Sequence, residues 1–443
     1  MEEITCDRTY REHTLIRVLE ITSLTILILV DIACAAPFAY VTNLGNYSND
    51  TNYNGAIPTP TVAVIDTATN NLKAIVPVEG WPRDIVINLA GTKVYVATPG
   101  ISTATVSVID TATNTVSATV DVGGYPMQVA VNPAGTKIYV TDRDGTNISV
   151  IDTSTNTLMA QINVGMITRN VVISPDEKKI YATNPFNNTT SVIDAITNKV
   201  IATISVEGCP YEVAVAPDGN KVYVTNSGSN TVSVIDTATD NVTATVPVGD
   251  NPSDIAVSPD GKKAYVTSSG SYNDSGKTVS VIDTVNNTVT AIVTVGTTPF
   301  GVAVTPDGKK VYVANAESDN VSVIDTATNT VTATVNAGKY TISYPTKVAI
   351  VPFTNSNITD QSTSATSNAT EDTEVEEANL SSSEEKKAVK FNGSNNSSES
   401  DNNSESGNDS SSSGNESSKN STPGFSLLGG LACLCGGWKF SKK

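Results

Sequence analysis

A repeat of about 42 residues, present seven times, constrains the fold of this chain more than any other feature. Each copy contains a run close to Val-x-Val-Ile-Asp, which ends at Asp66, Asp110, Asp152, Asp194, Asp236, Asp283 and Asp325. Four of the six intervals between these aspartates are 42 residues, and the other two are 44 and 47. Val, Ile, Thr and Tyr dominate the repeats, and no helical apolar period is present. A period of this length, filled with short β-type segments, predicts a propeller with four strands in each blade.

One copy, residues 210–249, shows the order of strands within a blade. Residues 213–215 are small and apolar, as expected for an inner strand that is buried on both faces. Residues 242–248 alternate strictly and include a proline, which is tolerated mainly in an edge strand. We therefore expect each repeat to run outward from the axis, through Pro-Asp-Gly and Asp-Thr-Ala-Thr-Asn turns.

The two ends of the repeat region complement each other. Residues 40–43, Tyr-Val-Thr-Asn, have no inner strand before them, and residues 345–352 are an inner strand with no Tyr-Val-Thr-Asn after it. Joined, they complete one blade and protect sheet edges that would otherwise be open. We therefore predict an all-β fold, a seven-bladed propeller over residues 37–352 that is closed by the C-terminal strand.

The flanking segments predict export and attachment to the cell surface. Residues 1–36 contain an apolar run at 21–30 and end near Ala-Cys-Ala, which is typical of a cleaved secretion signal. Asp31 and several acidic residues before the run also fit an uncleaved N-terminal anchor. Residues 422–443 contain Pro-Gly-Phe, an apolar run of 14 residues and a basic end. A free-standing transmembrane helix needs about 20 apolar residues.

Residues 353–421 have a different composition, dominated by Ser, Asn, Thr and Glu. Their 13 acidic and 4 basic residues account for half of the chain's net charge of −18. Such a segment cannot offset its ordering entropy, so we predict a disordered acidic stalk. Asn-x-Ser/Thr triplets in the stalk are candidate glycosylation sites, although such triplets also arise by chance in sequence of this composition. The candidates are Asn357, Asn368, Asn379, Asn392, Asn395, Asn396, Asn402, Asn408, Asn415 and Asn420.

Residue types missing from the repeats argue against several kinds of site. The single histidine, His13, lies in the predicted signal, and Cys209 is the only cysteine in the repeats. Histidine bases, histidine or thiolate metal sites and covalent haem attachment are therefore not expected. We expect no cofactor and no bound metal. The net charge of −18 and the absence of a basic stripe argue against nucleic acid as a partner.

Two recurring charged positions have simple structural explanations. The aspartates that end the Val-Ile-Asp runs lie in different blades and precede turns, so capping explains them better than a calcium array. The Lys-Lys pairs that follow the hairpin turns, such as Lys178-Lys179 and Lys262-Lys263, are expected to be solvated.

The repeats differ from one another just before the inner strand, and inner-strand ends surround the axial mouth where propellers commonly bind ligands. We predict a ligand-binding ring of aromatic and cationic residues there. Its members are Arg83, Met127, Arg169, Tyr211 and Phe300, with Trp81 and Tyr125 beside them. The alternative is that this loop position varies without binding anything.

Tyr-Val-Thr-Asn recurs at 223–226, within units of the form P-x-x-VAV-x-PDG-KK-VYVTN-x-TVSVIDTATN-TV. Residues 38–352 thereby resemble archaeal surface-layer-type YVTN β-propellers. The same scaffold resembles domains of lactonases, haem d1 enzymes and periplasmic binding proteins, so the resemblance implies a fold rather than one function. The C-terminal segment resembles the PGF-CTERM sorting signal of archaeal surface proteins, which implies cleavage and lipid attachment; a short membrane anchor is the alternative.

From these features we expect a secreted, cell-surface-anchored propeller that is a structural or interaction module of the cell envelope and is not an enzyme. Its partners would be envelope proteins or glycans, and the C-terminal anchor would reach the membrane. The main alternative is an extracellular enzyme of the lactonase type, or another metal-dependent propeller enzyme. Asp84, Glu212 and Asp254 would supply its carboxylates, because each follows the variable position before an inner strand, at Arg83, Tyr211 and Ser253.

Overall fold

The computed structural model describes residues 38–45, 60–100, 103–271, 274–337 and 344–351. The predicted signal, the stalk with its glycosylation candidates and the C-terminal sorting segment lie outside these residues. Within them, no helix is long and apolar enough to cross a membrane.

All the regular secondary structure of the described residues is β-strand. In chain order these are β1 (Phe38–Asn43), β2 (Thr61–Asp66), β3 (Asn71–Pro77), β4 (Asp84–Ile87), β5 (Lys93–Pro99), β6 (Ala104–Asp110), β7 (Thr115–Asp121), β8 (Pro126–Val131), β9 (Lys137–Asp142), β10 (Asn147–Asp152), β11 (Thr157–Asn163), β12 (Val171–Ile173), β13 (Lys179–Asn184), β14 (Thr189–Asp194), β15 (Lys199–Ser205), β16 (Pro210–Val215), β17 (Lys221–Asn226), β18 (Thr231–Asp236), β19 (Asn241–Pro247), β20 (Pro252–Val257), β21 (Lys263–Ser271), β22 (Asp274–Asp283), β23 (Thr288–Thr294), β24 (Pro299–Val304), β25 (Lys310–Asn315), β26 (Asn320–Asp325), β27 (Thr330–Asn336) and β28 (Pro345–Ile350).

These strands form seven antiparallel four-stranded sheets, which confirms the predicted propeller. Six sheets take their strands in chain order, from β4–β7 to β24–β27, and the seventh has the order β28-β1-β2-β3. In the seventh sheet Val348 pairs with Val41 and Ile350 pairs with Ala39. The C-terminal strand therefore closes the ring, as the incomplete first and last repeats predict.

The turns at the ends of the Val-Ile-Asp runs are capped by their own aspartates. Asp110 Oδ1 accepts hydrogen bonds from the backbone N–H groups of Ala112 and Thr113, at 3.1 and 2.9 Å. Asn114 then adopts a φ of 52°, the left-handed conformation that asparagine tolerates better than most residues. The same geometry recurs at Asp325, so capping explains this repeated aspartate.

The hydrophobic core lies between the blades. Each of seven buried clusters combines residues from two neighbouring sheets. The tyrosine of the Tyr-Val-Thr-Asn motif is fully buried in these interfaces; Tyr40, for example, packs with Ile85 and Val94 of the next blade. Its hydroxyl donates a hydrogen bond to Asn114 Oδ1, at 2.7 Å, in that blade. A single blade lacks such a partner surface, which is why the sheets must stack.

The second lysine of each Lys-Lys pair also ties neighbouring blades together, and the expectation that it is solvated is wrong. Lys179 Nζ donates to the carbonyl oxygen of Thr237, at 2.7 Å, and forms an ion pair with Asp240 at 2.9 Å. Lys263 Nζ reaches the carbonyl of Thr326 at 2.7 Å. The long aliphatic stem lets the ammonium cross the interface between two blades. The first lysines, such as Lys178, are exposed as expected.

Candidate functional site

The seven inner strands line an axial channel. Each contacts the next around the ring, and β28 contacts β4 to complete the circle. The residues of the predicted ligand ring lie at or just before the N-terminal ends of these strands, so they surround one end of the channel, which we call the mouth. Most are half-buried, whereas Met127 is buried and only 7% exposed.

The threonine of the Tyr-Val-Thr-Asn motif holds the mouth in place. Thr183 Oγ1 accepts a hydrogen bond from the Asn170 N–H of its own blade, at 3.0 Å, and donates to the carbonyl of Tyr211 in the next blade, at 3.1 Å. In the closing blade, Thr42 Oγ1 accepts from the Lys347 N–H at 2.9 Å. The motif thus fixes the backbone at the point where side chains turn into the channel.

Arginine and tyrosine pair across neighbouring blades at the mouth. Arg83 Nη2 donates to Tyr125 Oη at 3.0 Å. The Arg169 guanidinium lies 3.9 Å from the centre of the Tyr211 ring, and its Nη2 donates to the Tyr211 hydroxyl. Four residues of the predicted ring therefore make direct contacts in pairs. Phe300 lies in β24, away from these pairs.

The residue after the variable position lies near the start of the inner strand in every blade, and the seven such residues form a second ring, which we call the axial ring. Every blade contributes one member. They are Asp84, Gln128, Asn170, Glu212, Asp254, Gly301 and Lys347. Three carboxylates and one ammonium are thus brought to the axis by seven strands that are far apart in sequence.

Lys347 is the centre of the axial ring. Its Nζ donates to Glu212 Oε2 and lies 3.1 Å from Asp254 Oδ2. The side chains of all three are nearly buried, with exposures of 11% for Lys347, 8% for Glu212 and 9% for Asp254. Asn170 Nδ2 donates to the other carboxylate oxygen of Glu212. Ion pairs this deeply buried persist only when such additional hydrogen bonds satisfy the remaining lone pairs.

The aspartates also bind the unpaired edges of neighbouring inner strands. Asp84 Oδ2 accepts from the Val129 N–H at 2.8 Å, and Asp254 Oδ2 accepts from the Val302 N–H at 3.0 Å. Gln128 Nε2 lies 2.6 and 3.1 Å from the two Asp84 oxygens once its amide is oriented to donate. Each carboxylate therefore has a fixed position, as a group that takes part in chemistry requires.

Burial and mutual charge shift the pKa values of the axial ring. Burial raises the pKa of Asp84 to about 6, against the opposing attraction of Lys347. Burial likewise raises the pKa of Glu212, again opposed by Lys347 and reinforced by the charges of Asp254 and Asp84. Burial alone would lower the pKa of Lys347, but the attraction of the three carboxylates outweighs it and the pKa lies above its usual value. Lys347 therefore stays protonated, while a carboxyl beside it holds a proton more tightly than usual.

A cavity of about 240 Å³ adjoins the axial ring. It is lined by Asp84, Asn170, Glu212, Asp254 and Lys347 together with valines of the inner strands. A few convergent polar groups on an apolar wall are the usual composition of a small-molecule site. The volume corresponds to about eight water molecules at roughly 30 Å³ each, so a bound molecule would be small.

The axial ring does not fit a metal ion or a haem. Oxygen ligands of this kind suit a hard cation, but the Lys347 ammonium already lies among them at hydrogen-bonding distance. Among the described residues, no group of three or more His, Cys, Asp and Glu residues could hold a metal ion. Haem iron is held by His, Cys, Met or Tyr side chains, and the axial ring contains none of these.

The sequence pointed to part of this site. It singled out Asp84, Glu212 and Asp254 because each follows the variable position before an inner strand, but it missed Lys347 and Asn170. The signal was present, because an alignment of the seven repeats places all these residues in one column. What the alignment cannot show is that the Lys347 side chain reaches across the channel, to blades that are not its neighbours.

Comparisons with known proteins agree with the fold. A model of the lactonase family, described as a seven-bladed β-propeller, matches residues 235–351, and a model of the cytochrome D1 haem domain matches residues 92–217. No curated protein matches the chain.

Solved structures show the same architecture. A chain of hydrazine synthase from Kuenenia stuttgartiensis is 23% identical with a TM-score of 0.55, and the match covers 61% of this chain and 90% of that one. A protein from Bacteroides uniformis that is assigned as a 6-phosphogluconolactonase is 20% identical with a TM-score of 0.57, and the match covers 72% of this chain and 100% of that one. A protein from Bacteroides fragilis with the same assignment is 19% identical with a TM-score of 0.57, and the match covers 71% of this chain and 98% of that one. At these identities the structures establish similarity of fold alone.

The match to an enzyme family corrects the expectation of a non-catalytic envelope module. Residues 235–351 carry Asp254, Lys347 and the closing strand, and the family they match is the one named as the alternative. The expectation gave too much weight to the missing histidine. Carboxylates whose pKa is raised by burial can do acid–base work without it.

Proposed function

We propose that this propeller is a hydrolase of the lactonase type, which opens a small cyclic ester in the axial channel. The observation that carries the proposal is the contact of Lys347 with both Glu212 and Asp254 beside a cavity. The match to the lactonase family and the assignments of the two Bacteroides proteins support the same class of reaction.

The three side chains have complementary roles in ester hydrolysis. The Lys347 ammonium donates to the carbonyl oxygen and stabilises the negative charge that develops there. Asp254 accepts a proton from the attacking water as its oxygen bonds to the carbonyl carbon. Glu212, whose pKa is raised, donates its proton to the ring oxygen as the carbon–oxygen bond breaks. The product is the open hydroxy acid, and one water is consumed.

The neighbours of these groups keep them in position. Asn170 holds the second oxygen of Glu212, and the Val302 N–H holds Asp254. The walls of the cavity include inner-strand valines, and the low dielectric of these apolar walls strengthens each electrostatic interaction in the site. Because the cavity is about 240 Å³, a five- or six-membered lactone is the appropriate size class.

The test is acid release from δ-valerolactone by the full chain, followed in a pH-stat. We expect hydrolysis above the uncatalysed rate, and Asp254→Asn should lower kcat/KM by about 10²–10⁴-fold because it removes the base. The matched control is Asp260→Asn, which changes an exposed aspartate in a turn at the other end of the same blade. An inactive wild-type protein, or equal activity of both variants, would contradict the proposal.

We further propose, on the basis of residues 1–36 and 353–443, that the enzyme is exported and held at the cell surface by its C-terminal segment. Protease treatment of intact cells should then remove the propeller. Retention of all the protein inside the cells would contradict the proposed location but would leave the proposed reaction unaffected.

A further inference from the structure

The described residues contain three arginines, and all three lie on one side of the mouth. Arg83, Arg143 and Arg169 belong to successive blades, while the remaining cations of the described repeats are lysines. Arg143 stacks on the Tyr125 ring at 4.0 Å and pairs with Asp144 at 2.9 Å. Arginine differs from lysine in presenting a planar fork of donors that matches oxyanions, so its restriction to this place is informative.

Arg83 and Arg169 make the same arrangement and have spare donor capacity. Each sits at a ring position and reaches the tyrosine of the following blade. Among the described residues, neither forms an ion pair, and the buried Nε of each has no hydrogen-bond partner. A guanidinium has five N–H donors, and the hydrogen bond to tyrosine uses only Nη2 in each arginine, so donors remain for an oxyanion.

Among the residues that the structure describes, the positions equivalent to Arg83 on the other side of the mouth are uncharged. Ser253 Oγ donates to the Pro299 carbonyl at 2.9 Å, Thr346 Oγ1 contacts Thr42 Oγ1 at 3.0 Å, and Phe300 is apolar. The described guanidinium groups of the mouth therefore lie on one side of it. A ligand in the channel meets these guanidinium groups at its outer end, and three carboxylates with the Lys347 ammonium at its inner end.

We propose that Arg83 and Arg169 bind the oxyanion of a ligand, a carboxylate or a phosphate, at the mouth. The stacked tyrosines hold both guanidinium groups ready, so little side-chain entropy is lost on binding. Charge complementarity orients the ligand, because an anion is attracted to the arginines of the mouth, whereas the carboxylates of the axial ring outnumber its one ammonium, Lys347. In assigning this charge to the substrate the inference rests on the proposed function, but anion binding itself is measurable without turnover.

The experiment titrates the full chain with sodium phosphate and, separately, with sodium acetate at constant ionic strength, followed by calorimetry and by Trp81 fluorescence. We expect R83Q/R169Q to raise the Kd for the preferred anion about 100-fold, roughly tenfold for each charge-assisted contact removed. The matched control, K178Q/K262Q, removes two exposed charges at the other end of the blades and should leave the Kd unchanged. R83K/R169K keeps the charge but loses the fork and should fall between wild type and R83Q/R169Q.

Tighter binding of phosphate would identify a phosphate ester as the ligand group, and tighter binding of acetate would identify a carboxylate; either supports the site. The inference is overturned if the wild-type protein binds neither anion, if R83Q/R169Q binds as well as wild type, or if the control loses affinity equally. The titration measures equilibrium binding of an anion and needs no turnover, whereas the hydrolysis assay uses an uncharged lactone. If the lactone is not hydrolysed, the anion titration still tests the site at the mouth. If no anion binds, the hydrolysis assay still tests the proposed reaction.

Discussion

Replacing Lys347 by methionine tests the electrostatics of the axial ring most severely. The unbranched side chain keeps most of its length but loses its charged end, so Glu212 and Asp254 lose the cation that both contact. Breaking a buried ion pair from one side costs about 3–5 kcal/mol, because the remaining charges stay buried without compensation. Total stabilities are roughly 5–15 kcal/mol, so this variant should lose a large part of its resistance to urea.

The loss should depend on pH in a defined direction. Asp84 and Glu212 have folded pKa values above their usual values. Stability from such groups is fully present below the unfolded pKa and is lost as pH rises through the folded pKa. Lys347 opposes this loss of stability by lowering the pKa values of Asp84 and Glu212. Removing the Lys347 charge therefore makes the loss of stability at high pH larger. The gap between wild type and Lys347→Met should be small near pH 4 and should widen towards pH 8.

Urea unfolding of the full chain at several pH values measures this gap. Lys262→Met, which removes an exposed ammonium, should cost little at any pH. Adding Glu212→Gln to Lys347→Met should recover part of the stability, because one uncompensated charge is removed. If Lys347→Met were no less stable than Lys262→Met at pH 8, or if its loss were independent of pH, the description of the axial ring would be refuted.

Three further predictions concern single residues. Asp84→Asn should stabilise the fold at pH 8 by up to about 3 kcal/mol and leave it unchanged at pH 3. The reason is that the folded pKa of Asp84 is about 6 against a usual value of 3.8, and keeping its charge buried at pH 8 costs that amount. Urea midpoints at the two pH values check this, and lower stability of the variant at pH 8 would contradict it. Gly301→Ala should cost about 1–3 kcal/mol, since a Cβ there would lie 2.6 Å from the backbone of the closing strand, β28. In the control Gly208→Ala, the new Cβ meets nothing closer than 3.7 Å. Equal urea midpoints for the two variants would argue against tight packing of β24 on the closing strand. Tyr312→Phe should cost about 1 kcal/mol by removing the 2.6 Å hydrogen bond to Asn70 in the next blade. Tyr265→Phe should cost less, since the Tyr265 hydroxyl has no hydrogen-bond partner among the described residues. Thermal unfolding of both variants measures the difference, and an equal loss of stability would contradict it.

The fold could be predicted from the sequence almost completely, and the reason is its repetition. Seven copies of one pattern fix the strand order, and the unmatched segments at 40–43 and 345–352 fix the closure. Local chemistry was equally readable, since Asp110 caps its turn and Asn114 takes the left-handed conformation. The turns and strands depend on residues close together in the chain, and the closure was readable because each terminal segment is an incomplete copy of the same repeat.

The site was only partly predictable because its contacts cross the ring. Lys347 meets Glu212 although 135 residues separate them, and no local pattern encodes that contact. The same limit explains the wrong prediction for Lys179, whose carbonyl partner lies on the next blade. Column alignment of repeats shows which residues face the axis. How far a long side chain reaches across that axis depends on the width of the channel, which only the structure gives.

The pH dependence of lactone hydrolysis tests the central proposal most directly. If Glu212 is the proton donor, kcat/KM for δ-valerolactone should fall on the alkaline side as Glu212 loses its proton, at a pH above the usual carboxyl range. The residual activity of Glu212→Gln should lack this alkaline limb. Absence of hydrolysis by the wild-type protein, or an identical pH profile in Glu212→Gln, would contradict the assignment of this propeller as a lactonase-type hydrolase.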